Sequence, residues 1–413
     1  MIPTHFMSLW HCVSTLLFVL VLLAAPSSAG WSNNFDIFFP SYNRGFQTII
    51  HQNCSVQYEQ YLQDRHDKSN ITSFAPRLAG FGDTHLVNVL VNCILEATPE
   101  VIKAKLAAAG VILGLTPAIL STVGVQACDT AILAVLGCKP LLAVLLAFGS
   151  PAVFAHRSSE YRAAVLELAE FHMPGGLALR SPYIKIMIHS LVYLLAVGSI
   201  VNVAHLAYEL GDKVIFVILP THEYMASIWI FVGVVIHVFA ATAVYFYIDV
   251  QALKPQQEQE QHRELSHSGS PRGSAKVTEN LDSRLKGFSR WVTNEFRINQ
   301  NAHFTVSFRT SSLLFYGFSW FTSVLTAVHI IFGSALFAGA LFISVNDAVM
   351  VIGRFLISAV LCRVLVKIEL FMLRPRMSMS RAQEKDKKTL KEEVDTTEGK
   401  IRVDSNTLQQ RVE

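Results

Sequence analysis

The stretch Tyr224–Ile248, YMASIWIFVGVVIHVFAATAVYFYI, carries no Asp, Glu, Lys or Arg and is longer than the ~20 residues a helix needs to cross hydrocarbon. Lipid, more than a water-soluble core, is the solvent it matches. Similar blocks occur on both sides of it, at Leu106–Val125, Ala131–Ala155, Ile184–Tyr208, Ser319–Val345 and Ala348–Met372. Across the 413 residues 52% are hydrophobic and 16% charged, more apolar and less ionic than a soluble domain. The expected fold class is therefore all-α, a polytopic transmembrane helical bundle with a small luminal or extracellular N-terminal domain. A net charge of +3, spread beside the apolar blocks, gives no stripe for nucleic acid. The implied partner is the bilayer.

Working outward toward the N-terminus, Val13–Ala25 is an apolar run of signal-peptide length. Pro26 follows it, and Ser27 and Ala29 are small residues suited to a cut before Gly30, so residues 1–29 read as a signal peptide. The preceding residues hold His5 and His11 but no Lys or Arg, which leaves an uncleaved anchor as the other reading. Either way residues 30–105 face the lumen as an ectodomain. Its sequons at Asn53 and Asn70 are the only two in the chain, and both are expected to be glycosylated. Cys54 and Cys93 share this segment, where an oxidising compartment permits a disulfide.

Residues 106–248 are expected to supply membrane helices one to four and residues 311–373 helices five and six. Gly110 and Gly114 form a GxxxG pair for close helix approach, and Pro117 marks a kink. The block at 131–155 is broken by Lys139-Pro140 and reads as a re-entrant candidate. Basic residues gather at 157–180, at 254–297 and after Arg374, and positive-inside bias places all three in the cytosol. Two full crossings between 106 and 155 would invert that order, so five crossings plus a partial segment are preferred to six. Residues 249–286 are polar enough to predict a disordered loop, and so are residues 374–413, a charged tail. Phe288, Trp291, Val292 and Phe296 make 287–310 an expected interfacial amphipathic segment.

Ionisable residues at membrane depth are the sharpest site candidates, because each is costly there unless paired or wetted. Arg354 and Arg363 point to opposite sides of one helix, and Arg363 shares a face with Lys367. Lys367 is expected to snorkel and Arg363 to meet a carbonyl or Glu369, which leaves Arg354 to be explained. His237 and His329 fall mid-block, while His189 and His205 lie near the ends of theirs, with Glu209 one turn beyond His205. Paired imidazoles would suit proton relay or a b-type haem, although no recognised haem spacing is present. No HExxH, GxSxG or Walker loop occurs, no Asp lies inside the blocks, and no catalytic residue, metal site or cofactor is assigned.

The residues Cys93–Glu96, Lys103–Pro117, Gly149–Val153 with Glu160–Arg162, Val328–Gly333, Asp347 and Leu361–Arg363 resemble a group of filamentous-fungal multi-pass membrane proteins with no assigned function. That resemblance implies a fungal surface or endomembrane protein, directs attention to Cys93, His329 and Arg363, and brings no substrate. The favoured expectation is a non-catalytic surface or sensor-type protein of the plasma membrane, with a cytosolic partner for the 249–286 loop or the tail. A transporter or channel is the alternative and a b-haem redox protein the remote one.

Overall fold

The apolar run at Met225–Tyr247 is one unbroken helix in a computed structural model of the protein. The structure describes residues 35–63, 86–154, 158–170, 182–218, 224–252, 304–309, 313–373 and 377–379. The expected signal peptide at 1–29, the sequon at Asn70 and most of the expected loop, interfacial segment and tail lie outside them.

Eleven helices and five short strands make up these residues. A first group is α1 (Asn43–Asn53), α2 (Ser55–Gln63) and α3 (Leu86–Ala97). Then come α4 (Glu100–Val123), α5 (Ala127–Val135), α6 (Pro140–Gly149), α7 (Ser158–Glu170), α8 (Pro182–Lys213), α9 (Met225–Tyr247), α10 (Leu313–Ala338) and α11 (Val345–Leu373). Five of them, α4, α8, α9, α10 and α11, are long and apolar enough to cross a membrane, so the chain is an integral membrane protein.

Helices α1–α3 form the N-terminal domain around Phe35, Phe38, Phe46, Ile50, Tyr61, Leu90 and Ile94. Cys54, which caps α1, is disulfide-bonded to Cys93 on α3, with Cα atoms 6.0 Å apart. The domain does not end at its own helices. Leu106 of α4, Ile215 and Phe342 share its core. Strands β1 (Ile215–Phe216) and β4 (Ala340–Leu341) follow α8 and α10 and pair antiparallel, Ile215 with Leu341 and Phe216 with Ala340. Phe342 then takes a φ of 66°, a left-handed conformation costly to a bulky residue. Its ring meets Phe38 at 5.5 Å and Phe46 at 5.1 Å, and this aromatic burial holds the strained backbone in place.

With this domain at the top, α4, α9 and α11 start at the top, and α8 and α10 end there. The lower end carries a three-stranded sheet. Strand β2 (Ile248–Ala252) pairs antiparallel with β3 (Phe304–Phe308), and β3 pairs parallel with β5 (Met377–Met379). The outer ends of the expected loop and interfacial segment are therefore strand, not disordered chain or amphipathic helix. The reason is the alternation of Phe304, Val306 and Phe308 with Thr305 and Ser307, a period of two that a helix cannot satisfy.

α4 descends against α10. A side chain at Gly110 would come within 2.8 Å of the Ala338 carbonyl, one at Gly114 within 2.9 Å of Ala338 Cβ, and one at Gly333 within 3.0 Å of Pro117 Cγ. The expected GxxxG pair is thus the seam of α4 and α10. Gly114→Val should lower the thermal midpoint of the purified protein through about 1–3 kcal/mol of overpacking. Gly317→Ala and Gly353→Ala, where an added Cβ meets nothing within 4 Å, should leave it unchanged or raise it.

Candidate functional site

α4 does not reach the lower end. The carbonyl of Thr122 accepts from Arg363 Nη1 at 2.7 Å, ten residues before α11 ends at Leu373, or about 15 Å at the helical rise. Gly124 is extended, and the space beside it admits only a glycine, since a side chain there would lie 2.6 Å from Ser150 Oγ and 2.7 Å from the Leu120 carbonyl. Helix α5 resumes the descent, turns at Gly137–Lys139, where Cys138 has a φ of 52°, and α6 climbs back to Gly149. A side chain at Gly149 would strike Cys362 of α11 and lie 2.9 Å from Ser199 Cβ of α8. Helix α5 thus continues the direction of α4 beyond the break at 124–126, and the short apolar helix α6 runs back toward it. The helix expected over Leu106–Val125 is α4, which begins earlier, at Glu100, and ends at Val123 with Pro117 inside it.

Two irregular segments, 124–126 and 150–154, consequently meet inside the bundle, where bare backbone groups need partners. Val125 N–H donates to Ser150 Oγ at 2.9 Å, and Gln126 bridges to Phe154. The Pro151 carbonyl lies 3.1 Å from His329 Nε2 on α10. Trp229 stacks on that imidazole with centroids 5.2 Å apart and planes 6° apart. Its indole donates to the His329 carbonyl at 3.3 Å. His329 Nδ1 is buried with no hydrogen-bond partner among the described residues. His237 on α9 meets Thr130 Oγ1 at 2.7 Å through Nδ1. Of the two ring nitrogens of His329, Nε2 is engaged by Pro151, and the indole covers one face of the ring.

Below the break lies an ionic cluster that the sequence reading leaves unassembled. Lys139, at the start of α6, reaches Glu369 Oε2 of α11 at 2.6 Å, and His189 Nδ1 of α8 meets Glu369 Oε1 at 2.9 Å. Glu369 is only 2% exposed and His189 9%. Asp129 on α5 is buried and pairs with Lys367, Oδ1 at 3.0 Å taking the hydrogen bond and Oδ2 at 2.9 Å only the ion-pair contact. Lys367 thus has a carboxylate partner as well as the exposed position expected of it. Reading the second block from Ala131 hid Asp129, which lies in the helical turn just before it.

Arg354 is explained by α8. Its Nε donates to Asn202 Oδ1 at 3.1 Å, its Nη1 to Glu209 Oε2, and its Nη2 approaches His205 Nδ1 at 3.1 Å. Arg354, Arg363 and Lys367 therefore serve α8, α4 and α5 respectively, in keeping with their different faces. Asn53 is exposed at the end of α1, next to the disulfide. No group of three or more metal-ligating side chains occurs among the described residues.

The Lys139–Glu369–His189 cluster ties α6 to α8 and α11. Glu369→Leu or Lys139→Met alone should destabilise the purified protein by about 3–5 kcal/mol, because each strands a buried charge. The double replacement should recover much of that loss, and thermal melting of all four proteins in detergent measures the coupling. No protein-family model, curated protein or solved structure matches the chain.

Proposed function

We propose that the protein is a non-catalytic surface protein of sensor type, carried through the secretory pathway to the plasma membrane with its N-terminal domain outside the cytosol. One observation carries this reading. Phe342, the residue that joins the α10 strand to α11, is buried in the core of the N-terminal domain. A displacement of that domain is therefore felt by the β1–β4 joint and by the tops of α8, α10 and α11. At the other end, α9, α10 and α11 lead into or out of the β2–β3–β5 sheet, which brackets residues 253–303 and begins the tail. The disulfide between Cys54 and Cys93 supports an oxidising compartment for the domain. Under this reading a cytosolic partner binds the 249–286 loop or the tail, and Asn53 and Asn70 carry glycans.

Glycosylation acceptors inserted into 171–181, 253–303 and 380–413 should all stay unmodified while Asn53 is modified. Modification of all three inserts would reverse the orientation and end the proposal. In vesicles with the lower face outward, reducing Cys54–Cys93 should alter protease cleavage within 253–303, and Phe342→Ala should abolish that response. Cleavage that ignores the redox state in the unsubstituted chain would reject a sensor role.

A transporter is the second reading, supported by the break between α4 and α5 and the buried Lys139–Glu369–His189 cluster beneath it. Proteoliposomes that move protons or another ion in a manner lost with Glu369→Gln would favour it over the sensor.

A further inference from the structure

Asn202, His205, Glu209 and Lys213 follow one another on α8 at spacings of three or four residues and so form one stripe. The stripe lies on an outer wall of the bundle. Next to it on α8, Val201 is 62% and Tyr208 66% exposed, and on α11 Met350 is 66% and Ile357 70% exposed, all apolar and all suited to lipid. Within that wall the His205 side chain is 60% exposed and that of Arg354 34%. Charged and polar groups that face hydrocarbon need a polar occupant.

The hydrogen-bond inventory says what kind. Glu209 spends Oε2 on Arg354 and Oε1 on Lys213 at 2.9 Å, so two cations share one carboxylate. Asn202 accepts from Arg354 Nε, and its Nδ2 donates to the Arg354 carbonyl at 3.1 Å and to Ser358 Oγ at 2.8 Å. The guanidinium has no lone pair, so its 3.1 Å contact makes His205 Nδ1 the acceptor and leaves the proton on Nε2. Glu209 Oε2 lies farther from that nitrogen, at 3.4 Å, and does not reverse the assignment. Among the described residues, the His205 Nε2–H and the remaining Arg354 N–H groups have no acceptor. One carboxylate thus answers two cations, and the N–H groups left over on Arg354 and His205 suit an oxygen anion.

Depth selects the source of that anion. α8 has 32 residues, about 48 Å at the helical rise, against a hydrocarbon core of about 30 Å, so each end overhangs by about 9 Å. His205 lies eight residues below Lys213, or about 12 Å, close to the hydrocarbon boundary on the side of the N-terminal domain. Arg354 reaches upward from α11 toward Glu209 and Lys213, in the direction of the headgroups. We propose that the groove between α8 and α11 is a binding site for the phosphate of an anionic phospholipid in that leaflet, held by Arg354 and His205.

Native mass spectrometry of the full chain, with phosphatidylglycerol, phosphatidylcholine of the same acyl chains, or inorganic phosphate added, tests the proposal. Phosphatidylglycerol should be retained, phosphatidylcholine retained less, and inorganic phosphate not at all. Arg354→Gln and His205→Phe should each weaken phosphatidylglycerol retention about ten-fold, as expected for loss of a charge-assisted hydrogen bond. His205 is exposed enough that its replacement leaves the fold intact, and Arg363→Gln, on the same helix but bound to α4, should retain lipid normally. Equal retention by both variants overturns the proposal. So does equal binding of free phosphate, or a variant that changes only the oligomeric state, which would make a second copy the occupant.

Discussion

Backbone amides and carbonyls inside an apolar bundle must find partners, and at two places this chain gives up the helix that would supply them. The breaks at 124–126 and 150–154 survive because they lean on each other and on side chains from elsewhere. Ser150 serves Val125, Gln126 bridges to Phe154, and His329 serves Pro151. Much of the remaining structure follows from that arrangement. Once α4 stops short, α5 and α6 must fill the lower half of the bundle, and Asp129 and Lys139 are carried into it. Their charges then require Lys367 and Glu369 at matching heights on α11.

Much of the bundle is legible as composition. A run such as 225–247 can bury nothing but itself against lipid or other helices, and Lys139-Pro140 announces a helix start wherever it occurs. The small residues Gly110 and Gly114 likewise point to a tight seam, which the structure locates against Ala338 and Ser334. Partner identity is another matter. Helical spacing tells which residues share a face but not which helix comes to meet it, so Arg354 can be seen to need a partner without Glu209 being identified across 145 residues.

The strands are hidden in the sequence for a different reason. Residues 249–252 begin a stretch whose polar composition reads as loop, and 304–308 end one whose aromatic spacing reads as an interfacial helix. Their alternation would have found them. Asp129 escapes block edges drawn by hydropathy, which exclude the charged turn that precedes them, although a charge in that turn suits the positive end of a helix dipole. The left-handed conformation of Phe342 has no local signature at all. It is imposed by the aromatic core that receives the ring.

Biosynthesis inherits a schedule from the Lys139–Glu369 pair. The lysine enters the bundle early, but its carboxylate is 230 residues further along the chain. At a ribosomal pace of 5–20 residues per second, roughly 10–50 s pass before that partner exists. During this interval α6 can pack on α5, α8 and α9, while its lysine lacks the carboxylate that completes the pair. The last of the described helices is therefore the one that supplies the carboxylate, and a chain truncated before Glu369 would leave that lysine unpaired.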